Sequence, residues 1–291
     1  MKPKRRTVLK GGVAIAAATL LPPSAQSNTA KPGGSLDQPT HDLNEELVGH
    51  FSELGYELLE PASIVTGDEA FNGGLRYDET GLHEKRGQMT IQACARVEDI
   101  RNKDHTDVLP LFHLFYCITP ADLKSDDTFA QLLDYLTNRA KLDAGRFSFV
   151  TVPEFEPHLP TLERFDFDSS RQIHFRNSEQ AKKDGDGSGF FRFPGDPNAE
   201  AFATVGIYYW TGGGTPPKLA EYPPQTGWTE IGEASIDDEA DFAFGLGTER
   251  LGLAMNGNIP SWQERLTLLF EEIELASAGN PPPGKAEFAN G

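Results

Sequence analysis

The sequence is poor in cysteine. Among its 291 residues only Cys94 and Cys117 carry a thiol. Two thiols are too few for a disulfide framework or for a zinc site. A single disulfide and two buried thiols both stay open, and the apolar runs around the two residues favour buried thiols. The sequence therefore predicts a fold that is stabilised mainly by its core.

Positive charge is scarce as well. The chain has 26 lysines and arginines against 44 aspartates and glutamates, a formal net charge of −18. Nucleic acids and anionic lipids are bound through cationic patches, so this deficit argues against a broad electrostatic grip on either. Hydrophobic residues make up 38% of the chain, which is enough to bury a core. The length fits one large domain or two small ones.

Residues 1–27 have the order of regions expected of an export signal. A basic region around Arg5 and Arg6 is followed by an apolar run too short to span a bilayer comfortably, and then by small residues up to Ser27. The pattern resembles a twin-arginine signal peptide, and an ordinary basic tail is the alternative. We expect a periplasmic or extracellular protein with no membrane span after cleavage. Cleavage would remove five cations and no acid, lowering the formal charge to −23.

The rest of the chain is predicted to consist of a flexible linker over residues 28–41, a core over residues 42–275 and a disordered tail over residues 276–291. In the core, Asp42 is the expected N-cap of a first helix that ends near Gly55. Residues 153–175 are expected to be extended, and residues 176–189 to form a solvated loop. Periodicity predicts further helices over 127–142 and 261–275, and strands over 56–61, 90–95, 109–118, 147–152, 201–210 and 228–236.

One stretch, Phe242 to Gly257, has the pattern of a ligand platform: FAFGLGTERLGLAMNG. A strand containing Gly245 and Gly247 runs directly into a helix that begins near Arg250. Backbone N–H groups are free at such a junction, and an arginine fork suits phosphate. The pattern predicts a phosphate or nucleotide site. A glycine-rich strand followed by a surface helix is the plainer alternative.

GLGTERL, residues 245–251, resembles motif 3 of the class II aminoacyl-tRNA synthetases, closest to the phenylalanyl- and alanyl-type members. The first helix with the short strand ending at Pro61 resembles motif 1, which builds a dimer interface in that family. Arg96-x-Glu98, a charged loop and Phe112-His113 resemble motif 2. The resemblance implies an α+β fold with a mostly antiparallel, synthetase-like sheet flanked by helices.

The resemblance also implies ATP-dependent activation of an amino acid or other carboxylate as an acyl-adenylate, with Mg²⁺ as cofactor. Arg96 would hold the α-phosphate, Arg250 the γ-phosphate, and Phe112 would stack on adenine. Glu230 is the expected metal ligand. Glu233 is a second candidate, but residues three apart on a strand face opposite sides unless a bulge at Gly232 realigns them. The nucleotide-binding set that the resemblance implies comprises Arg96, Glu98, Phe112, Gly245, Gly247 and Arg250.

Two observations widen the functional alternatives. After Phe112-His113 the family often has a glutamine, where this chain has Leu114, so the way in which the amino acid is held stays open. The sequence has no recognisable anticodon-binding domain, and its acidity favours a carrier protein, a peptide or a small amine over tRNA as acceptor. Compartments outside the cytoplasmic membrane hold little ATP. The alternative function is therefore an exported binding or structural protein that keeps the fold without the chemistry.

Overall fold

The computed structural model describes residues 38–62, 64, 73–74, 87–96, 109, 111–192, 200–224, 226–238 and 242–257, which fall within one compact unit. The predicted signal peptide, most of the linker, Glu98, the closing helix and the tail lie outside these residues. Within the described part of the chain, no helix is both long enough and apolar enough to cross a membrane.

The described strands form one 10-stranded sheet. Its main path has the order β1-β2-β3-β10-β9-β8-β4-β5, with β7 paired to β8 and β6 to β7. All neighbours are antiparallel except the two outermost pairs, β1 with β2 and β4 with β5. The strands are β1 Glu57–Leu58, β2 Gln88–Ala95, β3 Leu111–Cys117, β4 Phe147–Thr151, β5 Ile173–Phe175, β6 Asp186–Gly187, β7 Phe190–Phe191, β8 Phe202–Trp210, β9 Trp228–Ser235 and β10 Phe244–Gly247.

Helices cover the core face of this sheet, so the predicted α+β class is confirmed. Leu43, Leu47 and Phe51, spaced four residues apart on the first helix, are buried in the same cluster as Phe115 and Phe244 of the sheet. Helical spacing places these three side chains on one face. The α-helices are α1 Gln38–Glu53, α2 Ser125–Asp134, α3 Leu159–Glu163, α4 Ser169–Gln172, α5 Ser178–Asp184 and α6 Thr248–Asn256, with a π-helical turn at Tyr135–Arg139 and 3₁₀ turns at Ala144–Arg146 and Pro153–His158.

The first helix differs from its predicted limits. It begins at Gln38 and not at Asp42, so Asp42 is an interior position and residues 38–41 of the predicted linker are helical. The apolar periodicity that guided the prediction starts only at Leu43, whereas the first turn is polar and carries no such signal. A cap residue and a first-turn residue can look alike in the sequence when no apolar residue marks the boundary.

Two segments predicted to lack helices contain them. Between β4 and β5 the chain forms a 3₁₀ turn, α3 and α4, because two parallel neighbours need a crossover connection. The predicted solvated loop forms α5 and β6. The Asn177 side chain accepts a hydrogen bond from the Gln180 N–H at 3.0 Å, and Gly185 ends the helix in the left-handed region with φ 62°. Asparagine before the helix and glycine after it were the sequence signals for α5.

Cys94 on β2 and Cys117 on β3 are both free and buried. Burial raises the pKa of the Cys94 thiol to about 12, so it stays protonated at neutral pH. The prediction of two buried thiols is confirmed. Both residues therefore act as small apolar side chains of the core.

Gly232 on β9 is required by close packing. A Cβ atom at this position would lie 2.5 Å from the carbonyl oxygen of Gly245 and 2.5 Å from Cδ2 of Leu246 on the neighbouring strand. We expect Gly232→Ala to lower the free energy of unfolding by about 1–3 kcal/mol, because the strand backbone has to shift. Urea denaturation followed by circular dichroism measures this. Gly213→Ala is the matched control, because a Cβ there meets nothing within 4 Å, and equal stabilities of the two variants would contradict the prediction.

Candidate functional site

A cleft of ≈ 220 Å³ lies on the sheet face opposite the helix-packed core. Alternation along the strands separates the two faces. On β3, Phe115 points into the core whereas Leu114 and Tyr116 line the cleft, and on β10 Phe244 belongs to the core whereas Gly245 lines the cleft. Six of the residues predicted from sequence line this cleft together: Arg96, Phe112, Glu230, Gly245, Gly247 and Arg250. Glu98 is outside the described residues.

Arg96 lies directly over the ring of Phe112. Its guanidinium carbon is 4.8 Å from the ring centroid, and its Nε donates a hydrogen bond to the Gly73 carbonyl at 2.8 Å. Strand register brings them close, since Cys94 pairs with Phe112 across β2 and β3. One face of the ring is therefore covered by a cation. The residue predicted to bind the α-phosphate therefore covers the ring predicted to stack on adenine. Adenine can stack on this face of the ring only after Arg96 moves aside.

Arg250, in the first turn of α6, faces Glu230 on β9. Its Nη1 donates to the Glu230 carbonyl at 3.3 Å and lies 3.8 Å from Oε2 of the same residue. Both side chains are about one-third exposed. Burial raises the pKa of the Glu230 carboxyl, and the nearby Arg250 charge opposes that shift. The predicted metal ligand therefore lies beside a predicted phosphate ligand.

A β-bulge turns Glu233 into the cleft beside Glu230. Across β8 and β9, Tyr208 pairs with Glu230 and Ile207 pairs with Gly232, so Ile231 is the additional residue of β9. Because one extra residue shifts the alternation, both glutamates line the cleft. The sequence analysis named Gly232 as the possible position of a bulge, and the observed bulge lies one residue earlier, at Ile231. Glu233 is thus a cleft residue that the sequence alone left undecided.

Glu233 is held by two donors. Its Oε1 accepts hydrogen bonds from the Ser188 N–H at 2.8 Å and from the Thr204 hydroxyl. Gly187, with φ 93°, packs so closely that a Cβ atom there would be 2.6 Å from Oε2. Burial, with the neighbouring Glu230 charge, raises the pKa of Glu233 to about 7. A cation beside this pair would stabilise both carboxylates in the charged form.

Glu249 and His113 form a buried pair at the edge of the cleft that sequence reasoning missed. Glu249 is only 2% exposed. Its Oε2 accepts the backbone N–H of His113 at 2.8 Å, and its Oε1 lies 2.9 Å from the ring Nδ1. The pair connects the start of α6 to β3, and its two residues are 136 positions apart in sequence. It thereby sets the position at which Arg250 enters the cleft.

The two glycines of the GLG string have different roles. A Cβ atom on Gly245 would lie 3.0 Å from Cε1 of Tyr116, so a side chain would push that ring out of place. On Gly247 the nearest atom to a Cβ would be the Arg250 side chain at 3.8 Å, which is an ordinary contact. Gly245 is therefore the more closely packed of the two glycines.

Comparison with known proteins gives little beyond this geometry. No protein-family model matches the chain, and no curated protein matches it. Among solved structures, the apo form of histidyl-tRNA synthetase from S. aureus is similar, with a TM-score of 0.39 and 9% sequence identity over 84% of this chain and 72% of that chain. A likeness of this size leaves the function to be inferred from the cleft itself.

Proposed function

We propose that the cleft binds ATP with Mg²⁺ and activates an amino acid or another carboxylate as an acyl-adenylate. One observation carries this proposal. The resemblance assigns Arg96 and Phe112 through motif 2, Arg250 through motif 3 and Glu230 through the strand before motif 3, and these residues from separate segments line one cleft. Two cations, an aromatic ring and a carboxylate are the groups that phosphates, a base and a bound metal ion require.

The proposed reaction is a displacement at the α-phosphorus of ATP. A substrate carboxylate oxygen forms the new O–P bond, and pyrophosphate leaves with the bonding electron pair. Arg96 neutralises the α-phosphate and Arg250 the γ-phosphate, while Phe112 stacks on adenine once Arg96 has left its ring. Catalysis then consists of positioning and of charge stabilisation in the transition state.

The donor chemistry at Glu230 fits Mg²⁺. This ion prefers oxygen ligands and is usually bound by one or two carboxylates together with substrate phosphates. Glu230 supplies a carboxylate whose pKa is raised by burial, and a nearby cation would relieve that cost. When bound with ATP, Mg²⁺ would neutralise charge on the departing pyrophosphate.

The acceptor is proposed to be a carrier protein, a peptide or a small amine. The formal charge of −18 for the whole chain, and of −23 after the expected cleavage, disfavours binding of polyanionic tRNA. A homodimer through the α1–β1 segment is part of the same proposal. β1 lies at an edge of the sheet, and its Leu58 side chain is exposed.

Isothermal titration calorimetry of the mature chain tests the ligase function. The ligands are Mg-ATP and a non-hydrolysable acyl-adenylate analogue, and we expect heat from both. A well-folded protein that gives no heat with either would refute it. The second candidate, an exported binding or structural protein, would then be preferred. It is favoured by the mutual contacts of Arg96 with Phe112 and of Arg250 with Glu230, which satisfy cleft residues without a ligand.

Export is tested separately with residues 1–40 fused to a reporter. We expect the native leader to deliver the reporter outside the cytoplasm. The double substitution Arg5→Lys with Arg6→Lys should keep the reporter in the cytoplasm, because the translocase recognises the arginine pair. Lys2→Arg with Lys4→Arg is a charge-matched control that should not change export. If the reporter stays in the cytoplasm with the native leader, the export prediction is wrong. The objection that little ATP is available then no longer applies.

A further inference from the structure

Arg176 organises the turn that enters the cleft from β6. It follows β5, and its side chain is 7% exposed. Nη2 donates to Asp184 Oδ2 at 2.9 Å, and Nη1 donates to Asp186 Oδ1 at 2.9 Å. Nη1 also reaches the carbonyl oxygens of Gly187 at 2.8 Å and Ser188 at 3.2 Å. One guanidinium therefore binds four groups of turn 184–188.

Tyr222 covers this guanidinium from the other side. Its ring centroid lies 3.8 Å from the guanidinium carbon of Arg176, and its hydroxyl donates to Asp186 Oδ2 at 3.3 Å. Stacking on the ring and in-plane hydrogen bonds together restrict a planar arginine side chain to one orientation. Lysine could supply the charge but not this geometry.

Turn 184–188 contacts the cleft through Asp186, Gly187 and Ser188, whereas Arg176 itself does not line the cleft. The Asp186 side chain is one of the lining groups. The Ser188 N–H donates to Glu233 Oε1 at 2.8 Å. Gly187 packs against the other oxygen of the same carboxylate. The position of the turn therefore decides which charges and donors Glu233 meets.

We propose that Arg176 is a positioning residue of the cleft, which holds turn 184–188 so that the Ser188 N–H stays bonded to Glu233 and Asp186 stays in the cleft lining. The inference rests on the proposed function in so far as the cleft is the functional site. It goes beyond that function because it assigns the control of a cleft carboxylate to a residue that does not line the cleft. A ligand that meets Glu233 would then depend on an arginine it does not contact.

The hydrogen bond from Ser188 to Glu233 reports where the turn lies. The Ser188 N–H donates to Glu233 Oε1 at 2.8 Å, and Ser188 is only 1% exposed. A bonded and buried amide exchanges slowly with solvent as long as its segment stays in place. Loss of Arg176 removes the hydrogen bonds that hold Asp184, Asp186, Gly187 and Ser188. The Ser188 amide should then exchange faster.

The test is amide hydrogen exchange measured by NMR, with the Ser188 amide compared with the amides of β4, a strand that is paired on both sides. Arg176→Gln should raise the exchange rate of Ser188 by at least about tenfold and leave the β4 amides unchanged. Arg176→Lys should raise it less, because lysine restores the charge without the fork. Arg171→Gln is the matched control: this exposed arginine donates to the Pro216 carbonyl, does not line the cleft, and should leave the exchange of Ser188 unchanged.

Asp186→Asn removes one ion pair of Arg176 and keeps a hydrogen-bond acceptor. The Asp186 side chain is 47% exposed, so the variant should fold, and Ser188 should exchange faster than in wild type but more slowly than in Arg176→Gln. An unchanged exchange rate of Ser188 in a folded Arg176→Gln would overturn the proposal. If Arg176→Gln does not fold, Arg176→Lys decides, and a wild-type exchange rate in that variant overturns it equally.

Hydrogen exchange needs no ligand, so its outcome is independent of the proposed reaction. Faster exchange of Ser188 in the Arg176 variants of a protein that gives no calorimetric heat with Mg-ATP would refute the ligase function and support the role of Arg176. Binding of Mg-ATP by wild type together with unchanged exchange of Ser188 in the variants would do the reverse.

Discussion

Replacing Arg250 with alanine is expected to weaken the binding of Mg-ATP by about 1.5–3 kcal/mol, a factor of roughly 10–150 in Kd. This is the size of a charge-assisted hydrogen bond to phosphate. Arg250 Nη1 lies 3.8 Å from the Glu230 carboxylate and donates to the Glu230 carbonyl at 3.3 Å, and a phosphate oxygen would take the place of these contacts. Stability should change by less than about 1 kcal/mol, because the ion pair is partly exposed.

Calorimetric titration of wild type and variants with Mg-ATP measures this effect. Arg96→Ala should reduce affinity by a similar factor, because it removes the second cation of the cleft. Arg164→Ala is the matched control, since Arg164 is exposed and does not line the cleft. Binding that survives both cleft substitutions would show that the motif-based assignment of the phosphate ligands is wrong, even if the protein binds ATP elsewhere.

Replacing Glu249 with alanine is expected to lower the free energy of unfolding by about 2–5 kcal/mol. The carboxylate is 2% exposed and is bonded to the backbone N–H and to the ring Nδ1 of His113. Truncation leaves buried polar groups without this partner, which costs about 1–3 kcal/mol for each. Because the pair joins α6 to β3, the loss should also loosen the start of the helix that carries Arg250.

Urea denaturation monitored by circular dichroism measures the change in stability. Glu249→Gln should cost less than the alanine variant, since the amide oxygen retains one acceptor in the same place. Glu45→Ala removes an acid that is 72% exposed, and we expect it to stay within about 0.5 kcal/mol of wild type. A Glu249→Ala protein as stable as Glu45→Ala would contradict the structural role of the pair.

The predictions from sequence were most successful where a short segment contains its own information. Leu43, Leu47 and Phe51 share a helix face by their spacing, and they are buried as that spacing predicts. The strand predicted over residues 109–118 contains the observed strand β3, Leu111–Cys117. Segments with weak periodicity were predicted poorly, and residues 153–175 are the clearest case. Their helices follow from the parallel pairing of β4 with β5, which no local pattern reveals.

Local spacing in the sequence thus determined which side chains share a face of a helix or strand, and the resemblance named six of the residues that line the cleft. Only the tertiary structure decided how these residues meet. The bulge at Ile231 brings Glu233 beside Glu230, and strand pairing places Arg96 on Phe112. Glu249 and His113, 136 residues apart, come into contact through the sheet. Register and bulges depend on pairing between distant strands, and a one-residue change reverses the face of a side chain, so spacing within a single segment cannot specify them.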